Sequence, residues 1–379
     1  MRVSVRHAAA ERVVSDPVIV EVELANGMRG FGETLARPYV TGETAESVVA
    51  AVEQVFVTTI LQFHPESFPE ALEFIEALPW QDANEKPIPA ARAAVELALL
   101  DVAMRWFTRS VDDIVQWMGL PRFSRPGCIR TVRYSGVLAT DDLKTMMRRL
   151  RLMYWGGIRH FKLKVGMEGD TDRVRGAAKY LAEPMAKGKA SLRVDANGAW
   201  NVDQAAEWLS EIGDVRLAGV EQPLPRGQEE SLGDLRGGSD ALLVHDESLI
   251  SERDARRLID LGVADVFNIR ISKCGGFLPS LRLAALARKH GVKIQLGCMG
   301  GETSILSAAG LRFLEVCPEV QWAEGCFGSF LLRGDVVRKS LRFGYGGRPP
   351  GLSSAGLGIE VEDSLLAQWG LEPPRVLNL

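Results

Sequence analysis

Apolar and polar positions change rhythm once along this chain. In the first third, Met1–Ala8 and Pro17–Leu24 read as strands. Ala25-Asn26-Gly27 reads as a hairpin turn, because Asn-Gly supplies the positive φ angles a tight turn needs. Met28–Glu33 returns as the next strand. Thr34–Glu43 is a polar loop carrying Arg37, Pro38, Tyr39, Thr41 and Gly42. Helices are predicted at Thr44–Val57, Phe68–Leu78, Pro89–Trp106 and Val111–Met118, the third opening on a proline that a first turn permits. Residues 1–125 therefore read as an α+β capping domain, with the boundary in Pro121–Gly127.

From Ile129 short apolar runs alternate with helical stretches. Thr131–Leu138 is the first strand and Asp141–Met153 its helix. Lys293–Gly297 is a seventh strand, Glu302–Leu314 its helix, and Val320–Glu324 the eighth strand. Strand–helix alternation over residues 126–330 predicts a parallel α/β barrel. A doubly wound open sheet is the runner-up, disfavoured because no G-x-G-x-x-G opens a helix after the first strand. Residues 331–379 are rich in Gly and Pro and are expected to return to the cap.

Inside the barrel segment, Phe161-Lys162-Leu163-Lys164-Val165-Gly166 puts two lysines on one face of a strand. Two ammonium groups on a buried face are costly unless anions answer them. Carboxylates do follow, each after an apolar run: Asp195, Glu221 and Asp246. Lys273 then closes a further strand and runs into Gly275-Gly276. The intervals from Lys164 are 31, 26, 25 and 27 residues, about the length of a strand, a helix and two short loops. Singly, a Lys-x-Lys is an edge strand with a solvated face, and a lone acid after an apolar run is a helix N-cap. Five such residues in this order point to the mouth of one barrel.

Bulk properties narrow the class. Lys+Arg 45 against Asp+Glu 49, net charge −4, argues against a nucleic-acid-binding surface. No apolar run has transmembrane length, and no signal-type block follows Met1–Arg6, so no membrane partner is expected. Cys128, Cys274, Cys298, Cys317 and Cys326 show no C-x-x-C spacing and read as reduced thiols of a cytoplasmic protein. A homo-oligomer is expected.

Three carboxylates without His or Cys suit Mg²⁺, with Mn²⁺ as a substitute, rather than zinc. Lysines flanking such a site are candidate general acids and bases. An ion on a substrate carboxylate stabilises the enediolate left when the α-proton is removed. The expected chemistry is proton abstraction α to a carboxylate of a small-molecule acid, followed by reprotonation or β-elimination.

Those motifs carry a resemblance. Lys162-Leu163-Lys164, Asp195-Ala196-Asn197, Glu221-Gln222-Pro223, Asp246-Glu247-Ser248 and Lys273-Cys274-Gly275-Gly276 resemble the enolase superfamily, within it the muconate-lactonizing-enzyme subgroup. The likeness extends to Gly30–Glu33 and Tyr39–Thr44 in the cap. The mandelate-racemase subgroup is less similar, since Lys293–Cys298 holds no histidine. The resemblance implies an α/β fold: a modified TIM barrel of seven βα units plus a final strand, under an α+β cap. It implies that Asp195, Glu221 and Asp246 bind Mg²⁺, that Lys164 and Lys273 are acid and base on opposite faces of the substrate, and that Lys162 lies near the bound carboxylate. Members include cycloisomerases, racemases, epimerases and o-succinylbenzoate synthases. Substrate contacts are expected from Arg37, Tyr39, Asn197, Met299, Glu324 and Phe327. The Asp-x-Asp that holds an ammonium group in dipeptide epimerases is replaced by Ala323-Glu324-Gly325-Cys326, so an N-acylamino acid or a diacid is the expected substrate. A dipeptide epimerase, a lyase and a non-catalytic acid-binding barrel are the alternatives.

Overall fold

The computed structural model describes residues 1–2, 5–7, 10–120, 123–124, 128–236, 240–352 and 355–377. The expected boundary in Pro121–Gly127 falls largely outside them. Two short strands, β1 (Val5–His7) and β2 (Ala10–Arg12), pair antiparallel near the start. The Asn26-Gly27 hairpin joins β3 (Val18–Glu23) to β4 (Arg29–Thr34), with Gly27 at φ 80°. The helix Pro89–Trp106 packs on this hairpin and is buried nearly throughout. Its alanines let two backbones meet. A Cβ on Gly30 would lie 2.4 Å from the Ala98 carbonyl oxygen, and one on Gly32 would lie 1.9 Å from that of Ala94. The helix predicted at Thr44–Val57 is interrupted: Ala45–Ala51 is α-helical, Val52–Phe56 is wound as a π-helix, and Val57–Ile60 resumes.

The remaining strands form one parallel sheet in chain order: β5 (Gly136–Leu138), β6 (His160–Lys164), β7 (Ser191–Asp195), β8 (Gly219–Glu221), β9 (Leu242–His245), β10 (Val266–Ile269), β11 (Lys293–Leu296) and β12 (Val320–Ala323). A parallel bridge between Tyr134 and Ala323 brings the segment before β5 against β12. The Ser135 amide donates to the Ala323 carbonyl at 2.8 Å there, so the sheet closes on itself. β5 is shorter than the sequence suggests, because Cys128–Thr131 coils as a 3₁₀ turn. Phe161 and Leu163 face the helices, which leaves Lys162 and Lys164 for the interior. The pairing aligns Lys162 with Arg193 and Gly219, and Lys164 with Asp195 and Glu221. Val244, Val266 and Trp322 form a separate small apolar cluster.

Buried carboxylates fasten these layers together at helix starts. The amides of Ala90 and Ala91 donate to Glu43 at 2.8 and 3.0 Å. Those of Phe277 and Leu278 donate to Glu96 at 2.9 and 2.8 Å, which caps a barrel helix (Phe277–Lys289) from the cap. Thr303 and Leu306 amides likewise donate to Glu33 of β4 at 2.8 and 2.9 Å. First-turn amides lack helical partners, and the helix dipole favours an anion there. This docking explains Gly275-Gly276. A Cβ on Gly275 would meet the Trp80 ring at 2.5 Å, and one on Gly276, at φ 123°, would meet Glu96 at the same distance. The C-terminal segment runs back over the cap: the Leu357 amide donates to Asp101 at 2.7 Å and Arg105 to the Ile359 carbonyl at 2.8 Å. A helix at Asp363–Trp369 was not foreseen from the sequence. Among the described residues no helix is long and apolar enough to cross a membrane.

Replacing Glu96 by Ala strands the Phe277 and Leu278 amides in the interior. We expect it to cost about 1–3 kcal/mol, read as a lower denaturation midpoint in urea with an unchanged slope.

Candidate active site

Lys162 on β6 is a buried charge inside the barrel. Its Nζ lies 2.6 Å from Glu324 Oε2, 3.0 Å from Glu221 Oε1 and 3.2 Å from Asp195 Oδ2. Burial opposes its charge, but Glu221, Glu324 and Asp195 outweigh that and hold its pKa above the usual lysine range. Arg193, the inward neighbour on β7, pairs with the other oxygen of Glu324 at 2.5 Å and lies 4.6 Å from the Trp322 ring centre. Glu221 also accepts from Asn268 Nδ2 at 2.8 Å and Gln295 Nε2 at 3.0 Å.

One layer up, Lys164 Nζ donates to Asp195 Oδ2 at 2.6 Å and to Asn197 Oδ1 at 2.8 Å. Burial would raise the Asp195 pKa, yet Lys164 and Lys162 drive it well below the carboxylate range. Asn197 sits at φ 49°, an angle asparagine tolerates. From there its amide donates to Asp195 Oδ1 at 3.0 Å and its Nδ2 to Glu247 Oε1 at 3.0 Å. Gln222, at φ 39°, accepts from the amides of Asp246 and Ser248 at 3.1 Å each and so fixes the β9 end. Burial, with Asp195 adding like charge, pushes Glu221 up to about 7. Burial, with Asp246 adding like charge, does the same to Glu247, also to about 7.

Lys273 follows the end of β10. Its Nζ is fully buried and donates to Asp246 Oδ1 at 2.9 Å, the Asp246 carbonyl at 2.5 Å and the Asn268 carbonyl at 2.9 Å. Arg270 reaches the same carboxylate. Its guanidinium pairs with Asp246 Oδ2 and lies 3.9 Å from Glu221 Oε1. Glu324 is spent on Lys162 and Arg193 rather than held out for a ligand. Arg37 is buried, not a loop-tip group: its Nη1 donates to Asp16 and to the Ala36 carbonyl, both at 2.9 Å. Tyr39 is exposed. Met299 is buried, its sulfur 3.9 Å from Arg270 Nη1, and Phe327 packs edge-on to Phe343. The residues missed by sequence reasoning are Arg193, Asn268, Arg270 and Gln295. The signal was available: all alternate with apolar neighbours on a strand, as Lys162 and Lys164 do.

Asp195, Glu221 and Asp246 end adjacent strands and offer only oxygen donors, the set that suits Mg²⁺. Among the described residues no three acidic, His or Cys side chains already enclose an ion. Lys162 and Arg270 stand among these carboxylates. All three carboxylates are fully buried at the ends of adjacent strands, with only oxygen donors to offer. By donor type and placement the residues fit the ion.

Beside the site, Glu302 accepts from the Met299 amide at 3.1 Å and Ser307 Oγ at 2.9 Å, pinning the loop after β11. It does not cap its helix: Thr303 is the N-cap and Glu33 takes the first-turn amides. Burial, then Glu33, pushes Glu302 up to about 8. Burial pushes Glu33 up to about 7.

Family models describe both parts of the chain: "Mandelate racemase / muconate lactonizing enzyme, N-terminal domain" over residues 3–115 and "Enolase C-terminal domain-like" over residues 145–365. The N-succinyl-L-Arg/Lys racemase of Bacillus cereus is 27% identical over 298 residues, 78% of this chain and 75% of that protein. Muconate cycloisomerase 1 of Rhodococcus opacus is 27% identical over 363 residues, 93% and 90%. The structure of a dipeptide epimerase from Cytophaga hutchinsonii, complexed with Mg and D-Ala-L-Val, superposes with a TM-score of 0.81 at 20% identity, over 97% of this chain and 94% of that one.

Because Glu302 and Glu33 bind protons more tightly folded than unfolded, their contribution is full below the unfolded carboxyl range and is lost as pH rises through about 7 to 8. Urea denaturation at pH 5, 6.5 and 8 should show falling stability, at most about 1.4 kcal/mol per pH unit per proton. Glu302→Gln should flatten its share of that slope.

Proposed function

The chain is an isomerase of the mandelate racemase and muconate lactonizing enzyme family within the enolase superfamily, and from that premise we propose that it isomerises a small carboxylic acid by removing the proton α to the carboxylate. The observation that carries this reading is Lys164. It is a strand-end amine, slightly open at the mouth, hydrogen-bonded to Asp195 and Asn197 beside a ring of carboxylates.

Asp195, Glu221 and Asp246 would hold Mg²⁺, or Mn²⁺ in its place. Bound there, the ion supplies Lewis-acid stabilisation of negative charge on the substrate carboxylate. Lys162, kept cationic by three carboxylates, adds a fixed positive charge beneath the same group. Neutral Lys164 takes the α-proton: the C–H bond breaks, an N–H bond forms, and the electron pair spreads onto the carboxylate as an enediolate. Asp195 and Asn197 hold the ammonium that results, and delivery of a proton to the opposite face of the enediolate would invert the α-carbon and complete a racemisation.

The substrate we favour is an N-acylamino acid or a diacid. The relatives named for N-succinyl-Arg/Lys and for muconate act on acids of those kinds. A free dipeptide fits less well, since both oxygens of Glu324 are committed to Lys162 and Arg193. An o-succinylbenzoate-synthase-type lyase would share the first step.

The test is solvent exchange. In ²H₂O with Mg²⁺, N-succinyl amino acids, muconolactone and L,L-dipeptides are compared for deuterium entering at the α-carbon. Exchange in the first two is expected, lost on chelation, and reduced by about 10²–10⁴ in Lys164→Ala. Exchange confined to dipeptides sinks the substrate assignment. No exchange in any acid supports a binding protein instead.

A further inference from the structure

Charge is segregated along this chain. Residues 38–85 hold nine acidic residues and no Lys or Arg, whereas residues 143–167 hold seven Lys or Arg and no acidic residue. The second stretch includes the helix Leu143–Trp155, between β5 and β6, in which only Met146 and Leu150 are buried. Arg148, Arg151, Leu152 and Trp155 are exposed and stand at i, i+3, i+4 and i+7, so they line one outward face. Neither arginine has a carboxylate partner among the described residues, although Arg29, Arg175, Arg226, Arg236 and Arg282 each do. Trp155 is 73% exposed, the most of the eight tryptophans. Tyr345, 69% exposed, adjoins the helix end: the Gly346 amide donates to the Gly156 carbonyl at 2.8 Å, and a Cβ on Gly157 would fall 2.9 Å from Tyr345 Cε1. Single exposed apolar side chains are ordinary. A contiguous set of Trp, Tyr, Leu and free Arg has the composition of a protein contact.

Its complement stands on the cap. On the helix Phe68–Glu76, Glu70 and Glu73 are exposed, as is Glu66 just before it, and none of the three pairs with a cation among the described residues. Leu61, a few residues earlier, is exposed as well. Glu76, at the end of that helix, pairs with Arg282 of the helix after β10. The basic helix lies between β5 and β6. In a closed sheet of eight strands these are well-separated sides. A two-fold contact brings the same patch of both copies together, which here sets arginine against arginine. Faces of opposite charge on separate sides meet only head to tail, and such contacts repeat until a ring closes.

We propose that this chain assembles head to tail into a closed ring, in which Arg148, Arg151, Leu152, Trp155 and Tyr345 of one copy sit on the Glu66–Glu73 face of the next. Trp155 and Tyr345 are the anchors that lose water on contact, and the arginines steer the encounter and fix its register. The partner is a second copy because the charge it needs is on this chain, in the right sign and on the other side. An anionic polymer or lipid surface would answer the arginines but leave the acidic cap face unused. The contact is independent of the reaction catalysed, since none of these side chains belongs to the barrel mouth.

The test is the mass of the full chain in solution, read by size-exclusion chromatography with light scattering across a dilution series. A discrete species larger than a dimer is expected, loosening as salt is raised. Trp155→Ala should raise the concentration of half-dissociation about thirtyfold or more. Arg148→Glu with Arg151→Glu should leave monomers whose far-ultraviolet circular dichroism matches the wild type. Adding Glu66→Lys and Glu73→Lys to that pair reverses both faces and should bring the ring back, which a merely misfolded chain could not do. A wild type that is monomeric or a two-fold dimer overturns the proposal. So does a larger assembly that Trp155→Ala and the arginine pair leave intact, or one that the four-fold reversal fails to restore. Capture of a monomeric wild type by heparin or by phosphatidylserine vesicles overturns it in favour of a polyanion on the same arginines.

Discussion

Neutralising Lys162 inside the barrel is the constraint on which the site depends. A lone ammonium there would cost several kcal/mol of desolvation, so the strands around it must bring carboxylates to within hydrogen-bonding distance. They do so from three of them: Asp195, Glu221 and Glu324 all lie within 3.2 Å. Each carboxylate then needs its own second partner, which Lys164, Asn268, Gln295 and Arg193 provide. The result is a connected polar core standing above an apolar plug of Val244, Val266 and Trp322. Such networks rigidify when every member is satisfied. That rigidity sets where the metal-type ligands and the candidate base can stand.

A second set of buried carboxylates ties this core to the cap. Glu33 and Glu96 leave the cap and end on the first amides of two barrel helices. The loop after β11 is held between Glu302 within it and Glu33 just beyond it. Cap and mouth therefore share hydrogen bonds rather than only surface, and the loop lining the pocket inherits its position from the cap hairpin. The same logic explains Gly30, Gly32, Gly275 and Gly276. Each stands where another backbone, ring or carboxylate comes closer than a Cβ allows.

Much of this could be read from the sequence, because period-two alternation and chemistry coincide on the barrel strands. Phe161 to Val165 gave the lysine face, and the carboxylates followed at unit spacing. The barrel, the hairpin at Asn26-Gly27 and the helix from Pro89 were all legible. Less legible were the further polar residues that alternate inward on the later strands. In Phe267-Asn268-Ile269-Arg270 the alternation that placed Lys162 inward also picks out Asn268 and Arg270, which join the Glu221 and Asp246 carboxylates. Once the chain leaves a strand, alternation no longer says which way a side chain points, and hydrogen bonds decide. The contacts of Glu324 and Arg37 were hidden for a related reason. Their partners, Arg193 and Asp16, lie 131 and 21 residues away, and no local pattern announces them.

A guanidinium beside Asp246 differs from an amine in more than reach. A catalytic lysine is neutral for part of each cycle, and its side of the site loses a positive charge whenever it is. Arginine stays charged throughout. Arg270 therefore keeps the Asp246 side of the site electropositive. A site polarised in this way holds an acid with negative charge at both ends more firmly than one ending in an ammonium group. The commitment of Glu324 to Lys162 and Arg193 works in the same direction, because it removes the anion an ammonium would need. These two features, a permanent cation beside Asp246 and an anion already paired at Glu324, are what the proposed preference for an N-acylamino acid or a diacid depends on.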